Sequence, residues 1–348
     1  MNINKVLKYA TLVVGAIAGS AVVAEDITLN VWADSVRVPM FELYAKDGVE
    51  LNITTISAPD LVAKIQLAMQ AGTEVPDVVF FNNVGFTAML ATRRSNFVLD
   101  LSELISQEVE DAYSTNANSV CELDGKLMCL RNDVAQFHIW YNAPLMEELG
   151  ETLPTTWEEY EAFGARVAEQ GMVIGSAIQE FPMMNLLASS GCEFAAPVEG
   201  EANTLRIDLS TEACLRPAAM IDRMAENGSL ARVGLFDPAF AELYRTNKVP
   251  FLIGPSWFAE HVIRPSYGAP DGQTAAALPP RWADQDQPIT WHWGGGTYAG
   301  WTDTAHPEAV AALIEWVATD VTLQTDAVTM PAHAESSVAW GAAIAADP

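Results

Sequence analysis

Residues 289–301 read ITWHWGGGTYAGW, in which three tryptophans and a tyrosine surround three consecutive glycines. Aromatic rings beside backbone without side chains favour a ligand that both approach closely. A phosphate loop also uses glycines, but it needs a preceding strand, a helix beginning on it and usually a Gly-Lys-Ser/Thr ending, whereas residues 297–301 continue with a strand pattern. The stretch therefore favours a neutral, hydroxyl-rich ligand over a phosphate.

The segments that must position this stretch alternate between β-rich runs and amphipathic helical patterns. Strands are predicted at residues 27–32, 49–56, 75–83, 136–141, 172–178 and 249–253. Helices are predicted at residues 36–46, 59–71, 142–149, 155–170, 210–226, 238–245 and 306–318. The order strand, helix, strand is typical of a parallel sheet covered by helices, and ligands bind at the carboxyl ends of such strands.

Several residues mark where the predicted helices begin and end. Thr155 and Glu158 have the spacing of a capping box, in which each satisfies a free amide of the first turn. Gly72, Gly150 and Gly171 follow three of the helical patterns, and glycine is the residue that most often ends a helix. These signals predict helix boundaries at residues 155, 72, 150 and 171.

The N-terminus has the pattern of an export signal. Lys5 and Lys8 precede an apolar run at residues 9–18, and small residues follow as far as Ala24. The apolar run is too short to span a bilayer, and no later stretch is long and apolar enough to do so. We therefore expect cleavage near Ala24, release into the periplasm and no stable membrane insertion.

Length and charge limit the remaining classes. A chain of 348 residues exceeds what one hydrophobic core usually organises, so two lobes are expected. The formal net charge of −27 opposes binding to nucleic acid and to anionic membrane surfaces. Its simplest interpretation is a solvated acidic surface.

Four cysteines in an exported chain favour disulfides over a metal site. Cys121 and Cys129 flank an Asp-Gly pair, a strong hairpin signal, and a three-residue loop at residues 124–126 would place them opposite each other. We predict that bond, and a bond between Cys192 and Cys214 follows by elimination. The five histidines are scattered, so no zinc site is predicted.

Several ordered motifs together resemble the family 1 extracellular solute-binding proteins of ABC sugar importers, the maltose-binding-protein type. Their order and spacing across nearly the whole chain carry the resemblance. Besides the export signal, they are Pro76-Asp77-Val78-Val79, Asp124-Gly125-Lys126, Tyr141-Asn142, Pro154-Thr155-Thr156-Trp157-Glu158-Glu159, Gly254-Pro255-Ser256-Trp257 and Gly294-Gly295-Gly296.

The resemblance implies a two-lobed periplasmic binding protein fold of the α/β class, each lobe a mainly parallel sheet flanked by helices, joined by a hinge. One lobe would comprise residues 25–133 and 290–328, and the other residues 134–289 and 329–348. The implied function is capture of a sugar or oligosaccharide between the lobes and delivery to the membrane permease of an ABC importer. No enzyme activity and no cofactor are implied, and we expect a monomer.

Matched motif by motif, the resemblance also implies a set of ligand-binding residues. Aromatic rings in the set would pack on the C–H face of a sugar ring, while carboxylates and amides would satisfy its hydroxyls. The implied residues are Asp34, Ser35, Arg37, Phe81, Asn82, Asn83, Asp133, Gln136, Glu180, Phe181, Trp257, Trp291, Trp293 and Gly295.

The chain departs from the family pattern in two places. Arg131-Asn132-Asp133 stands where the family usually has a proline after the hairpin. The resemblance also implies further helices beyond residue 348, so we expect a fragment or a shortened form with an uncovered apolar face on its second lobe.

Other functions stay open at this point. A nonsugar solute such as a polyamine or a glycerophosphodiester is the main alternative, and the polyamine fits the acidity of the chain. An exported glycoside hydrolase is a further alternative, which would need two acids across a cleft, for instance Asp133 and Glu180. Asp34 is open to two interpretations, a helix cap or a sugar ligand.

Overall fold

The structure, a computed structural model, describes residues 26–92, 94–114, 116–198, 201 and 204–346. The predicted export signal and its cleavage site near Ala24 lie outside these residues. Within the described ranges, no helix is both long enough and apolar enough to cross a membrane.

Twelve short strands are described along the chain. They are β1 (Ile27–Ala33), β2 (Val49–Thr55), β3 (Val78–Phe81), β4 (Glu122–Leu123), β5 (Lys126–Leu127), β6 (Leu130–Arg131), β7 (Phe137–Asn142), β8 (Ala196–Pro197), β9 (Leu205–Arg206), β10 (Phe251–Pro255), β11 (Thr274–Ala277) and β12 (Thr297–Gly300).

The α-helices alternate with these strands over most of the chain. They are α1 (Val38–Glu42), α2 (Ala58–Ala71), α3 (Val84–Leu90), α4 (Gln107–Asp111), α5 (Ala143–Leu149), α6 (Trp157–Ala168), α7 (Glu180–Ser189), α8 (Glu212–Glu226), α9 (Pro238–Arg245), α10 (Pro307–Thr319), α11 (Val321–Thr325) and α12 (Ala334–Ala346). A 3-10 turn at Ser119–Cys121 and a π-helix at Ala259–Tyr267 complete the helical elements described.

The larger sheet has five strands in the order β2-β1-β3-β12-β6. β1 runs parallel to both β2 and β3, whereas β12 is antiparallel to β3 and to β6. Because β1 and β3 are parallel neighbours, their carboxyl ends lie at the same edge of the sheet. Asp34 and Asn82, which directly follow these two strands, are therefore brought to one edge.

The smaller sheet differs from the expected parallel arrangement. Its three strands lie in the order β10-β7-β11, and both pairings are antiparallel. Residues 172–178, predicted as a strand, make only an isolated parallel bridge through Ser176 to Ala231. These residues bond instead to irregular chain, since the amides of Val173 and Ile174 donate to Lys248 O and Ser229 O, so no continuous ladder forms.

Two separate regions of hydrophobic core accompany the two sheets. One core is built from residues 29–134 and 298–332, around the five-stranded sheet. Two adjoining clusters between residues 137 and 282 surround the three-stranded sheet. Trp293 packs against both of these clusters, so it belongs to the second region although its chain neighbours at 297–300 belong to the first.

Three chain segments lie side by side between the two regions, and two of them, residues 132–136 and 292–296, cross from one region to the other. Residues 132–136 lie in the middle, where the Val134 amide donates to Met330 O at 3.0 Å and the Trp293 amide donates to Ala135 O at 3.0 Å. The third segment, at residues 329–332, and the second, at residues 292–296, therefore flank the first. The third segment stays on the first region, where α12 packs on α11. The Ser256 hydroxyl also donates a hydrogen bond to Val134 O at 3.1 Å.

Several local predictions are confirmed, the capping box needs a one-residue correction, and α6 ends at Ala168, two residues before its predicted end. Gly72 and Gly150 end α2 and α5 in the left-handed conformation, as expected. The capping box is present, but it joins Thr156 with Glu159 rather than Thr155 with Glu158. Thr155 instead donates its amide to the Glu159 carboxylate at 2.8 Å, so the cap involves one residue more than predicted.

Both predicted disulfides, Cys121–Cys129 and Cys192–Cys214, are present. The loop of the first hairpin is shorter than predicted, because Leu123 pairs with Lys126 and leaves a two-residue turn. Asp124 and Gly125 both have positive φ, of 53° and 73°, which fits a tight turn of the primed type.

Candidate functional site

A cavity of about 670 Å³ lies between the two core regions. The carboxyl ends of β1 and β3 form one side, and the start of α7 and the π-helix form the other. Both crossing segments and Thr329 of the third segment also line the cavity. A depression of about 550 Å³ between α6 and α8 is a shallower surface feature lined mainly by charged side chains, and it contains none of the predicted ligand residues.

Arg37 is the only arginine or lysine among the described residues that line the cavity. Its guanidinium lies 4.6 Å above the centroid of the Phe80 ring, and its Nη2 donates to Thr329 Oγ1 at 3.4 Å. The carboxylates of Asp34 and Asp133 flank it at 3.8 and 3.9 Å. These separations exceed direct hydrogen bonds, so neither carboxylate binds the guanidinium directly.

The two carboxylates are held by backbone groups. Asp34 Oδ1 accepts from the amides of Val36 and Arg37 at 3.0 and 2.9 Å, so one of its oxygens caps the turn before α1. Asp133 Oδ1 accepts from the Gly296 amide at 2.7 Å and from the Asn132 side chain at 2.7 Å. In each residue the second oxygen remains as an acceptor, so a cap and a ligand contact are compatible.

Three stacked aromatic residues form the opposite side of the cavity. The Phe181 ring lies 4.6 Å from Trp293 at an interplanar angle of 9°, and 6.1 Å from Trp291 at 19°. Trp293 is also stacked near Phe137 and meets Trp257 edge-on at 5.4 Å. All three tryptophans line the cavity and are only partly buried, so ring surface of each is open to a ligand.

Trp257 is fixed at its polar end. Its indole N–H donates to Trp293 O at 2.7 Å, which joins the Gly-Pro-Ser-Trp turn to the second crossing segment. Gly254, at the start of that turn, has no room for a side chain, since a Cβ would lie 3.0 Å from the Phe258 ring. The close packing of this turn sets the position of the Trp257 ring.

The glycine run allows the second crossing segment to approach the first. Gly294 and Gly295 have φ of 96° and 99°, a region that disfavours residues with a Cβ. A Cβ at Gly295 would lie 2.8 Å from Arg131 Nη2, and one at Gly296 would lie 2.3 Å from the Phe80 ring. The glycines therefore serve close packing around Asp133.

Two histidines line the cavity as well. His261, in the π-helix, faces the first region across the cavity, and burial and the nearby Arg37 lower its pKa. Burial and Arg131 likewise lower the pKa of His292, whose Nδ1 lies 3.1 Å from Gly294 O. Both rings are therefore neutral at pH 7 and able to act as hydrogen-bond donors or acceptors.

All but three of the residues implied by the sequence line this cavity. They are Asp34, Ser35, Arg37, Asn82, Asn83, Asp133, Phe181, Trp257, Trp291, Trp293 and Gly295. Asn83 is partly committed elsewhere, because its Oδ1 accepts from the Gly85 amide at 2.8 Å and caps α3.

The other three residues lie outside the cavity lining. Phe81 is fully buried in the first core, and its neighbour Phe80 faces the cavity instead. Gln136 is exposed and pairs with His292 through the backbone. Glu180 is exposed in the first turn of α7, which begins where a loop was expected.

Phe80, His261 and Thr329 line the cavity but were not predicted. Strand alternation pointed to one of the two phenylalanines at 80 and 81 without saying which. No local signal marks His261 or Thr329, because a π-helix brings the first to the cavity and the packing of residues 329–332 beside the first crossing segment brings the second.

Metal binding finds no support in the part of the chain that the structure describes. It contains no group of three or more histidine, cysteine, aspartate or glutamate side chains placed to hold an ion. The cavity instead combines one cation, two carboxylates, exposed amides and aromatic rings, a set suited to a ligand with hydroxyl groups and apolar ring faces.

Comparison with known proteins agrees with this architecture. A family model described as bacterial extracellular solute-binding protein matches residues 31–322. No curated protein sequence matches the chain.

Among solved structures, the cyclic α-maltosyl-1,6-maltose-binding protein from Arthrobacter globiformis is similar with a TM-score of 0.75 and 15% identity, covering 92% of this chain and 84% of that one. The galacto-N-biose-/lacto-N-biose I-binding protein of an ABC transporter from Bifidobacterium longum has a TM-score of 0.72 and 16% identity, and the match covers 92% of this chain and 85% of that one. An ABC transporter-associated binding protein from B. animalis subsp. lactis, in complex with β-1,6-galactobiose, has a TM-score of 0.67 and 19% identity. The match covers 88% of this chain and 75% of that one. These likenesses show a shared two-lobed fold.

Proposed function

The chain belongs to the bacterial extracellular solute-binding protein family, and on that premise we propose that it is the substrate-binding subunit of an ABC importer for a neutral sugar or oligosaccharide. The observation that carries the proposal is the meeting of Arg37, Asp34 and Asp133 with the aromatic residues across one cavity. The similar solved structures are of sugar-binding proteins, which gives it further support.

The polar side of the cavity suits pairs of hydroxyl groups. A hydroxyl donates one hydrogen bond and accepts another, so it can donate to Asp34 or Asp133 while accepting from Arg37. Because backbone amides fix one oxygen of each carboxylate, these acceptors stay in place when the ligand is absent. Such preorganisation lowers the entropic cost of binding.

The aromatic side suits the C–H faces of sugar rings. Trp291 and Trp257 have ring surface free, and both are braced by neighbours, Trp291 by Phe181 and Trp257 by Trp293. The cavity of about 670 Å³ lies within the range of small-molecule sites in proteins. A ligand bound there would contact both core regions at once.

The charges at the site weigh against the alternative solutes. A polyamine would need carboxylates free of cations, whereas Asp34 and Asp133 both lie within 4 Å of Arg37. A glycerophosphodiester would need several cationic donors, whereas Arg37 is the only one lining the cavity in the described residues and faces two carboxylates. A neutral ligand avoids both conflicts.

Glycoside hydrolysis is also disfavoured. The pair considered from sequence was Asp133 and Glu180, and Glu180 does not line the cavity. Asp133 Oδ1 accepts hydrogen bonds from the Gly296 amide and from Asn132 Nδ2, so this oxygen is committed to packing between the crossing segments. Binding without chemistry is the better account of this geometry.

The crossing segments provide a physical basis for transport. We propose lobes at residues 25–133 with 290–328 and at residues 134–289, joined at the two crossings. Residues 329–346, expected in the second lobe, instead pack on the first, where the Trp340 indole donates to Ala327 O at 2.8 Å. A sugar that contacts both lobes stabilises the closed arrangement, and the closed monomer in the periplasm would deliver the sugar to the permease.

The direct test is a fluorescence titration of the protein with lacto-N-biose, β-1,6-galactobiose, maltotetraose, spermidine and glycerophosphocholine. We expect saturable binding of at least one of the three sugars and none of the last two. Saturable binding of only spermidine or glycerophosphocholine would overturn the proposal.

A matched pair of tryptophan variants locates the binding. Trp291→Ala should weaken sugar binding at least tenfold, since it removes a ring that lines the cavity. Trp316→Phe is the control, because Trp316 packs on Tyr44 at 4.9 Å and does not line the cavity. Equal affinities of the two variants would remove Trp291 from the site.

A further inference from the structure

Asn185 is a fully buried polar residue that lies outside the cavity but is bonded to it. Its side-chain oxygen accepts a hydrogen bond from the Trp291 amide at 2.8 Å. The contact joins the middle of α7 to a residue 106 positions later in the chain. It therefore fixes the backbone of a cavity-lining tryptophan from the side away from the cavity.

The backbone around Trp291 has little other support. Residues 286–291 belong to no described helix or strand. Among the described residues, the bond to Asn185 is the only hydrogen bond that an N–H group or side chain of residues 286–291 makes. The next backbone contact is at His292, which pairs with Gln136. The Asn185 bond is thus the anchor of this segment before it enters the crossing.

The same face of α7 supports the tryptophan rings. Phe181 precedes Asn185 by four residues, a spacing that places both on one face of a helix. The Phe181 ring stacks on Trp293 and lies nearly parallel to Trp291. One helix face therefore holds Trp291 by its backbone and by its ring.

α7 is itself fixed at its carboxyl end. Ser189 accepts from the Trp282 indole N–H at 3.1 Å through its hydroxyl and from Gln285 Nε2 at 2.7 Å through its carbonyl. The disulfide Cys192–Cys214 then ties the residues after α7 to α8. A helix held in this way is a rigid support for the residues that contact it.

Only half of the Asn185 amide is used. Its Nδ2 is buried and has no hydrogen-bond partner in the described part of the chain. Burying an unpaired donor is unfavourable. The favourable polar contact of this side chain is therefore the hydrogen bond that its oxygen accepts from the Trp291 amide. A leucine would remove the acceptor and the unpaired donor together, while an aspartate would keep an acceptor oxygen.

We propose that Asn185 is a positioning residue that holds Trp291 in its ligand-facing orientation by accepting its backbone N–H. The proposal rests on the proposed function, in which Trp291 contacts the sugar. Asn185 itself does not line the cavity, so its effect on affinity passes through Trp291.

The first measurement needs no sugar. Hydrogen exchange of the Trp291 amide, followed by residue-resolved mass spectrometry, should be at least tenfold faster in Asn185→Leu and within threefold of wild type in Asn185→Asp. Leu186→Ala is the control, because it removes a neighbouring core side chain of α7 without touching Trp291. An unchanged exchange rate in Asn185→Leu would overturn the proposal.

The second measurement is a double-mutant cycle on affinity, with the panel sugar that wild type binds most tightly as the probe. Asn185→Leu should weaken binding about tenfold in wild type and have no effect in the Trp291→Ala background, because it acts through that ring. Equal losses in both backgrounds would contradict a positioning role. If wild type binds none of the three sugars, the proposed function fails, while the exchange result still decides the anchoring of Trp291.

Discussion

The Gly296 amide donates a hydrogen bond of 2.7 Å to Asp133 Oδ1 across 163 residues of sequence. This bond joins the second crossing segment to the first at the point where the cavity begins. The same oxygen lies 3.9 Å from the guanidinium of Arg37. The glycine run and the charged side of the cavity are therefore parts of one packed unit.

Gly296→Ala should destabilise the protein by about 1–3 kcal/mol, the usual cost of overpacking. The added Cβ would lie 2.3 Å from the Phe80 ring and 3.0 Å from the carbonyl of Phe81, and that backbone cannot move aside easily. Denaturant unfolding measures the change. A loss below about 0.5 kcal/mol would show that the second crossing segment is not closely packed on β3.

Gly341→Ala is the matched control for that substitution. Gly341 lies within α12, and a Cβ there would meet nothing within 4 Å. Alanine in a helix interior is favoured over glycine by about 0.5–1 kcal/mol, so this variant should be more stable than wild type. The two alanine substitutions are thus expected to have opposite signs.

Arg37→Met should change which solutes the protein binds. Without the guanidinium, Asp34 and Asp133 face the cavity with no cation between them. We expect at least a tenfold loss of sugar affinity, since charge-assisted hydrogen bonds contribute about 1.5–3 kcal/mol each, and a gain of spermidine binding. Isothermal titration calorimetry measures both effects.

The control for Arg37→Met is Arg223→Met. Arg223 forms an exposed ion pair with Glu161 at 2.6 Å, away from the cavity, and exposed pairs contribute only about 0–1 kcal/mol. It should leave sugar affinity unchanged. Retention of full sugar affinity by Arg37→Met would exclude Arg37 from the binding site.

The stability of the protein should fall as the pH drops from about 7 to about 5. The pKa of His261 is lowered from 6.5 by burial and by Arg37, and burial is also the main cause that lowers the pKa values of His138, His292 and His333. Below pH 6.5 the unfolded chain takes up protons that the folded protein resists, so acidification favours unfolding until the folded pKa values are passed.

Denaturant unfolding at a series of pH values, with wild type and His261→Gln compared, tests this account. Glutamine does not titrate, so the variant should lose less stability between about pH 7 and pH 5. The lowered pKa values of Asp100, Glu151 and Glu159 add a further loss only below about pH 4.5, outside this window. An identical pH dependence in the two proteins would contradict a titrating role for His261.

The two disulfides should contribute unequally to stability. Cys192–Cys214 spans 22 residues and Cys121–Cys129 spans 8. The loss of chain entropy in the unfolded state then stabilises the fold by about 3.4 kcal/mol for the longer loop and about 2.5 kcal/mol for the shorter one. Replacing both members of each pair with alanine and measuring the free energy of unfolding compares them. A larger loss from the short hairpin would show that native-state packing, not loop length, sets the order.

Local sequence signals located most elements of this fold. Helix α9 has the predicted bounds, and α2 and α5 end at the predicted glycines. Asp-Gly at residues 124–125 specified the hairpin that brings Cys121 near Cys129, although its loop is one residue shorter than predicted. These features depend on contacts within a few residues, so short-range reasoning reaches them.

The choice between Phe80 and Phe81 was decided by tertiary structure. Alternation along a strand says that the two rings point to opposite faces, but it does not say which face meets the cavity. Helix α3 packs over Phe81, and the centroids of the Phe86 and Phe81 rings lie 6.4 Å apart. Arg37 lies over the ring of Phe80. The outcome depends on which elements cover each face of the sheet.

The sequence by itself determined the class of protein, two α/β units with an aromatic and glycine-rich segment near the end, because composition, caps and turns are local properties. Only the tertiary structure decided that Arg37 meets Thr329 across 292 residues, that Asp133 receives the Gly296 amide, and that Asn185 anchors Trp291. Each of these contacts joins distant segments and depends on how the crossing segments and α7 pack. No local pattern encodes such a pairing, because it forms only once both core regions are in place.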